Sequence, residues 1–104
     1  MSRPVKRYMA LLRDAIWYTL QCKAFHLETI EVVEVFQGKI VWEGDVELFV
    51  LYSPRKGERC FAWGFPNGSA EWEVIVALRK PPIRSAQDAV KAAILKDIRE
   101  GRLK

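Results

Sequence analysis

Between residues 5 and 21 the chain repeats with a helical period. Tyr8, Leu12, Ala15, Ile16 and Thr19 form one stripe, and Arg7, Asp14 and Gln21 lie off it. Spacing of three and four residues predicts a helix. Met9, Leu11, Trp17 and Leu20 widen the apolar stripe, and Pro4 suits the first turn, where a missing N–H costs nothing. After His26 the period changes. Residues 30–36 are rich in Val and Ile and stop at Gln37-Gly38. Residues 40–52 then alternate, with Trp42, Val46, Leu48, Val50 and Tyr52 on one face and Glu43, Asp45 and Glu47 on the other, as in a half-buried strand. A two-residue loop at Gln37-Gly38 sets Val35 opposite Ile40 and Val33 opposite Trp42. Beyond the loop 53–57, strands are expected near 59–65 and 71–78, joined through Asn67-Gly68. Pro81-Pro82 ends the last strand. Ser85 and Asp88 have the spacing of a capping box, and Ala86, Ala89, Val90, Ala93, Ile94 and Ile98 form a second helical stripe that runs to Gly101.

This order predicts one α+β domain, residues 1–104: an antiparallel sheet of three to four strands with the N-terminal and C-terminal helices on one face. Strand parity decides which side chains face the helices. With four-residue loops at 54–57 and 66–69, Val50 opposes Phe61 and Trp63 opposes Trp72. Phe61, Trp63, Phe65, Trp72, Val74, Val76 and Leu78 then all point inward. One bulge reverses such an assignment, because the side-chain period of a strand is two. Each ring buries about 150–250 Å², worth roughly 4–6 kcal/mol at about 25 cal/mol per Å², against about 1–3 kcal/mol for stacking a base. The rings are therefore expected to be core rather than a stacking platform.

The outer sheet face would then carry Val41, Phe49, Leu51, Cys60, Ala62, Ile75 and Ala77, with Glu43, Asp45, Glu47 and Glu73 nearer one end. A face this apolar suggests a partner surface. Self-association, or docking of a protein partner through Val41, Phe49, Leu51, Ala62 and Ile75, is the leading functional expectation.

A chain of 104 residues, half of them hydrophobic, is long enough for a core without metal or disulfide staples. Cys22 and Cys60 are the only cysteines, and their spacing makes neither a zinc site nor a disulfide framework, so both are expected to be buried free thiols. Net charge is +4 and unevenly spread: residues 27–50 set six acidic side chains against Lys39, whereas the segments on either side of 27–78 are basic. Residues 1–7 are basic but precede no apolar stretch with a cleavage site, and no stretch is long enough to span a bilayer, so a cytoplasmic protein is expected. His26, the single histidine, has no Asp or Cys neighbour in sequence and reads as a helix-end or surface residue. Glu43, Asp45 and Glu47 read as a solvated strand face. With no nucleophile, metal-ligand, P-loop or dinucleotide motif, neither an enzyme nor a cofactor is expected.

In element order, and in the alanines of "SAQDAVKAAILKDI", residues 5–98 resemble the double-stranded-RNA-binding domain. "VFQGKIVWEGDVELF" followed by "CFAWGF" is similar to a group of small bacterial proteins with no established activity. The first resemblance implies that duplex RNA would lie across the start of the last helix. The lysine cluster that grips phosphate there is replaced by Ser85-Ala86-Gln87-Asp88, and Asp88 puts negative charge where phosphate would sit. Nucleic-acid binding therefore stands as the alternative, through Arg3, Lys6, Arg7, Lys80, Arg84 and Lys91, with Arg55 and Lys56 from the strand-linking loop. A third candidate is a small-molecule pocket between the first helix and the sheet, near Trp17, Tyr18 and Cys22.

Overall fold

A computed structural model describes residues 5–66 and 71–100, with side chains from Arg7 onward. It contains α1 (Val5–Leu20), β1 (Ala24–Phe36), β2 (Lys39–Leu51), β3 (Arg59–Pro66), β4 (Trp72–Leu78) and α2 (Ala86–Arg99). The strands form one antiparallel sheet in the order β1-β2-β3-β4. The expected α-β-β-β-β-α order and α+β class are what the chain adopts. Expectations that rest on the Asn67-Gly68 turn and on Gly101 fall outside the described residues. Among the described residues no helix is long and apolar enough to cross a membrane.

The helices lie on opposite faces of the sheet, not on one. Tyr8, Leu12 and Ile16 of α1 pack with Phe49, Leu51, Cys60 and Ala62. Ala86, Ala89 and Val90 of α2 pack with Val32, Val46, Leu48, Phe61 and Trp63. Consecutive strand residues point to opposite sides, so burial of both Phe61 and Ala62 requires a helical layer on each side. The layers are staggered: α1 lies closest to β4 and α2 closest to β1.

Three registers decide which side chains each helix meets. Phe61 pairs with Leu48 rather than Val50, a two-residue slide that leaves its face unchanged. Between β3 and β4, however, Pro66 pairs with Trp72 and Trp63 with Ile75. The connection thus has five residues rather than four, and every β4 side chain reverses. Ile75 and Ala77 join Trp63 beneath α2, whereas Val74, Val76 and Leu78 pack toward α1. Trp72 also lies on the α1 side, edge-on to Tyr8 at 5.9 Å. In the first hairpin, Val35 opposes Ile40 as expected, through a turn in which Gln37 and Gly38 both have positive φ (52° and 78°). A bulge at Val41 then sets Glu34, not Val33, against Trp42.

Local signals fix the helix ends. The Ser85 hydroxyl accepts the Asp88 N–H at 3.1 Å, and the Asp88 carboxylate accepts the Arg84 N–H at 3.1 Å. Gln21, at φ 55°, closes α1. The Gln87 side chain donates to the Val33 carbonyl at 3.0 Å and to the Glu34 carboxylate, which ties α2 to the edge strand β1.

Candidate binding sites

The expected open sheet face does not exist as a continuous surface. Phe49, Leu51, Ala62 and Cys60 are sealed under α1. Val41 and Ile75 survive as candidates, because α2 covers β4 only in part on its own side. There a groove of about 660 Å³ runs between α2 and β4, lined chiefly by Phe65, Ile75, Ala77, Ile83, Ala92 and Ala93. It continues into a recess of about 300 Å³ where Val41 and Trp42 meet Trp63 and Ile94. The alanines of α2 keep that wall low.

Beyond this recess lies the turn of the β1–β2 hairpin, with a group of exposed apolar side chains. Val33, Val35, Phe36 and Ile40 are each between 43% and 60% exposed. Glu43 and Asp45 are solvated on the adjoining strand surface, as expected, and Glu31 is exposed beside them.

The expected basic residues divide between two ends. Val50 pairs with Arg59, Cys60 pairs with Leu78, and the Arg79 N–H donates to the Arg59 carbonyl at 2.8 Å. The β2–β3 loop and the exit from β4 therefore leave the sheet together, carrying Arg55, Lys56 and Lys80 to one end. Arg84 joins them, sharing a recess of about 350 Å³ with Arg59 and Arg79. Arg55 is paired with Glu58 at 3.2 Å. Arg7 sits at the opposite end, next to Tyr8, whose hydroxyl accepts the Gly64 N–H at 2.9 Å. Lys91 is exposed along α2. Arg3 and the side chain of Lys6 lie outside the described residues.

His26 belongs to β1, not to a helix end, and it has a carboxylate partner. Its Nε2 donates to Glu47 Oε1 at 2.8 Å, and the Thr29 hydroxyl donates to the same oxygen. Glu47 is 3% exposed, so it departs from the solvated reading given to its strand neighbours. In a regular strand positions 26 and 29 face opposite ways. A bulge at Leu27 brings both to the Glu47 side. The imidazole also meets Phe49 edge-on at 5.4 Å. Next to it, under the second half of α1, opens a cleft of about 500 Å³. Trp17 and Cys22 line it as expected, and Tyr18 does not; Arg13, Lys23, Phe25 and Tyr52 complete its walls.

Cys22 and Cys60 are both buried and free. Burial, with a smaller contribution from Cys22, pushes the Cys60 thiol up to about 12. A thiol with that value is a core side chain and not a nucleophile.

No family model matches the chain, and comparison with curated proteins and with solved structures finds no match.

Proposed function

We propose that the protein is a small, non-enzymatic assembly domain that pairs with a second copy of itself. The apolar hairpin tip of one copy would sit in the α2–β4 groove of the other. One observation carries this reading: a single chain leaves partly uncovered both a groove with an apolar floor, edged by Glu73, Lys96 and Asp97, and an apolar projection that fits such a floor. Exposed apolar groups on this scale mark association surfaces. Val41 and Trp42 lie at the end of the groove and at the foot of the hairpin, so a two-fold axis there lets each tip reach the other groove in a closed pair.

Sedimentation velocity over a concentration series tests the idea. The natural chain is expected to dimerise. Phe36→Glu combined with Ile40→Glu should stay monomeric and keep its thermal stability, because both side chains are more than half exposed. A natural chain that remains monomeric at high concentration, or a double variant that dimerises unchanged, excludes the reading.

Nucleic-acid binding is the second reading, supported by Arg55, Lys56, Lys80 and Arg84 sharing one end of the sheet with Arg59 and Arg79. The likeness to the double-stranded-RNA-binding domain extends to element order but not to the placement of both helices on one face. Binding through this end would weaken steeply with salt, with a slope of about −0.9 per phosphate neutralised on duplex DNA. Gel shifts with duplex RNA and duplex DNA at low salt check it, and unshifted probes at micromolar protein exclude it.

A further inference from the structure

The cleft beneath the second half of α1 shares no lining residue with the α2–β4 groove. We propose that this cleft binds a small flat anion: an unsaturated ring that carries one acidic group. The assembly reading neither requires nor excludes it.

Three observations converge on this ligand class. First, the cleft has ring walls that the fold leaves unfinished. Phe25 and Tyr52 stack at 4.5 Å with planes 14° apart, yet Phe25 remains more than half exposed, and the Trp17 indole across the cleft is 47% exposed. Neither is needed to close the α1 core, which is filled by Tyr8, Leu12, Ile16 and Phe49. Partly exposed rings in the lining are suited to a flat guest, and a volume of about 500 Å³ lies in the range of small-molecule sites.

Second, the charge is arranged for an anion. Arg13 and Lys23 line the cleft against one carboxylate, Asp14. A guanidinium and an ammonium on the rim provide donors for a carboxylate or phosphate. The nearby acid lowers the net positive charge of the rim without cancelling it.

Third, the imidazole is held as a prepared group. Placing a carboxylate in the interior is costly unless it is paired, and Glu47 is buried with His26 and Thr29 as its donors. The bond to Glu47 occupies Nε2, and Phe49 holds the ring from its edge. Nδ1 of this restrained, cleft-lining ring is an acceptor while the ring is neutral, and donates to an anion when the ring carries its second proton. Restraint before binding reduces the ordering cost of a contact.

The chain has a single histidine, so its imidazole gives one assignable NMR reporter inside the cleft. Five probes separate the parts of the proposal: adenosine monophosphate and benzoate as ring-bearing anions, adenosine and benzamide as uncharged counterparts, and inorganic phosphate as an anion without a ring. At least one ring-bearing anion, at millimolar concentration, is expected to move the His26 signals; whether the nucleotide or the carboxylate binds more tightly identifies the source. The uncharged counterpart should bind about tenfold more weakly. Trp17→Ala should weaken the anion by about tenfold as well, the usual loss on removing one stacking ring. Arg13→Gln should weaken the anion and leave the uncharged analogue unchanged. Trp17 and Arg13 are both exposed, so these variants retain the fold, which circular dichroism checks. The proposal is overturned if no ring-bearing anion moves the signals, if phosphate alone moves them as much as the nucleotide, or if Trp17→Ala binds like the natural chain.

Discussion

Leu48 and Phe49 are neighbours in β2, and both are closed off from solvent, Leu48 beneath α2 and Phe49 beneath α1. Truncation of either should therefore leave a core cavity. Leu48→Ala and Phe49→Ala are each expected to cost about 2–5 kcal/mol in urea denaturation. A sheet with one open face would give a different result: Phe49→Ala would then fall within about 0.5 kcal/mol of the natural chain.

The Tyr8 hydroxyl and the Gly64 N–H form the tie between α1 and β3 at the end of the sheet nearest the β3–β4 connection. Tyr8→Phe keeps the ring and strands a half-buried donor, a loss of about 1–3 kcal/mol. Gly64→Ala acts on the same contact from the other side. A Cβ there would lie 3.3 Å from the Glu73 carbonyl and 3.4 Å from the rings of Tyr8 and Trp72. Both variants should lower the thermal midpoint, and the double variant should lose less than the sum, because each disturbs the same docking.

Glu47, itself buried, accepts from two donors. Glu47→Ala leaves His26 and Thr29 without their acceptor and is expected to cost about 1–3 kcal/mol in denaturant melts. Glu43→Ala, on the same strand but solvated, should change stability by less than about 0.5 kcal/mol.

Cys60 predicts a stability loss in alkali. Its folded-state value, pushed up to about 12, lies above that of the unfolded thiol. Between the two values the folded chain holds the proton that the unfolded chain releases. Stability from this group is thus complete below the unfolded value and declines as pH rises toward the folded one. The limiting slope is about 1.4 kcal/mol per pH unit. Melts from pH 8 to pH 11 should show the decline in the natural chain and a smaller one in Cys60→Ala. A thiol reagent should leave Cys60 unmodified until the chain unfolds.

Element order, the Gln37-Gly38 turn and the Ser85 cap were legible because each rests on residues close in sequence. The helix layers were not, because they depend on counting through a loop whose length alternation alone does not reveal. A warning was nevertheless present. Leu48 to Leu51 and Cys60 to Trp63 are unbroken apolar runs, the pattern of strands covered on both sides rather than one. Glu47 was hidden for a related reason. Its partners stand 21 and 18 residues away, and only the Leu27 bulge makes them share its side of the strand. The cleft residues Trp17 and Cys22 were within reach of the sequence, but Phe25, Tyr52 and the buried acid behind His26 needed strand pairing to find.

The strands follow one another across the sheet in chain order, and this has a kinetic consequence. Each pairing is closed by a short connection, so little loop entropy is lost at any step. The hydrogen bonds that anchor the helices span 56 residues for Tyr8 and 54 for Gln87. A meander of this kind can zip up from its hairpins first and receive its two covers afterwards, each on its own side and neither waiting for the other.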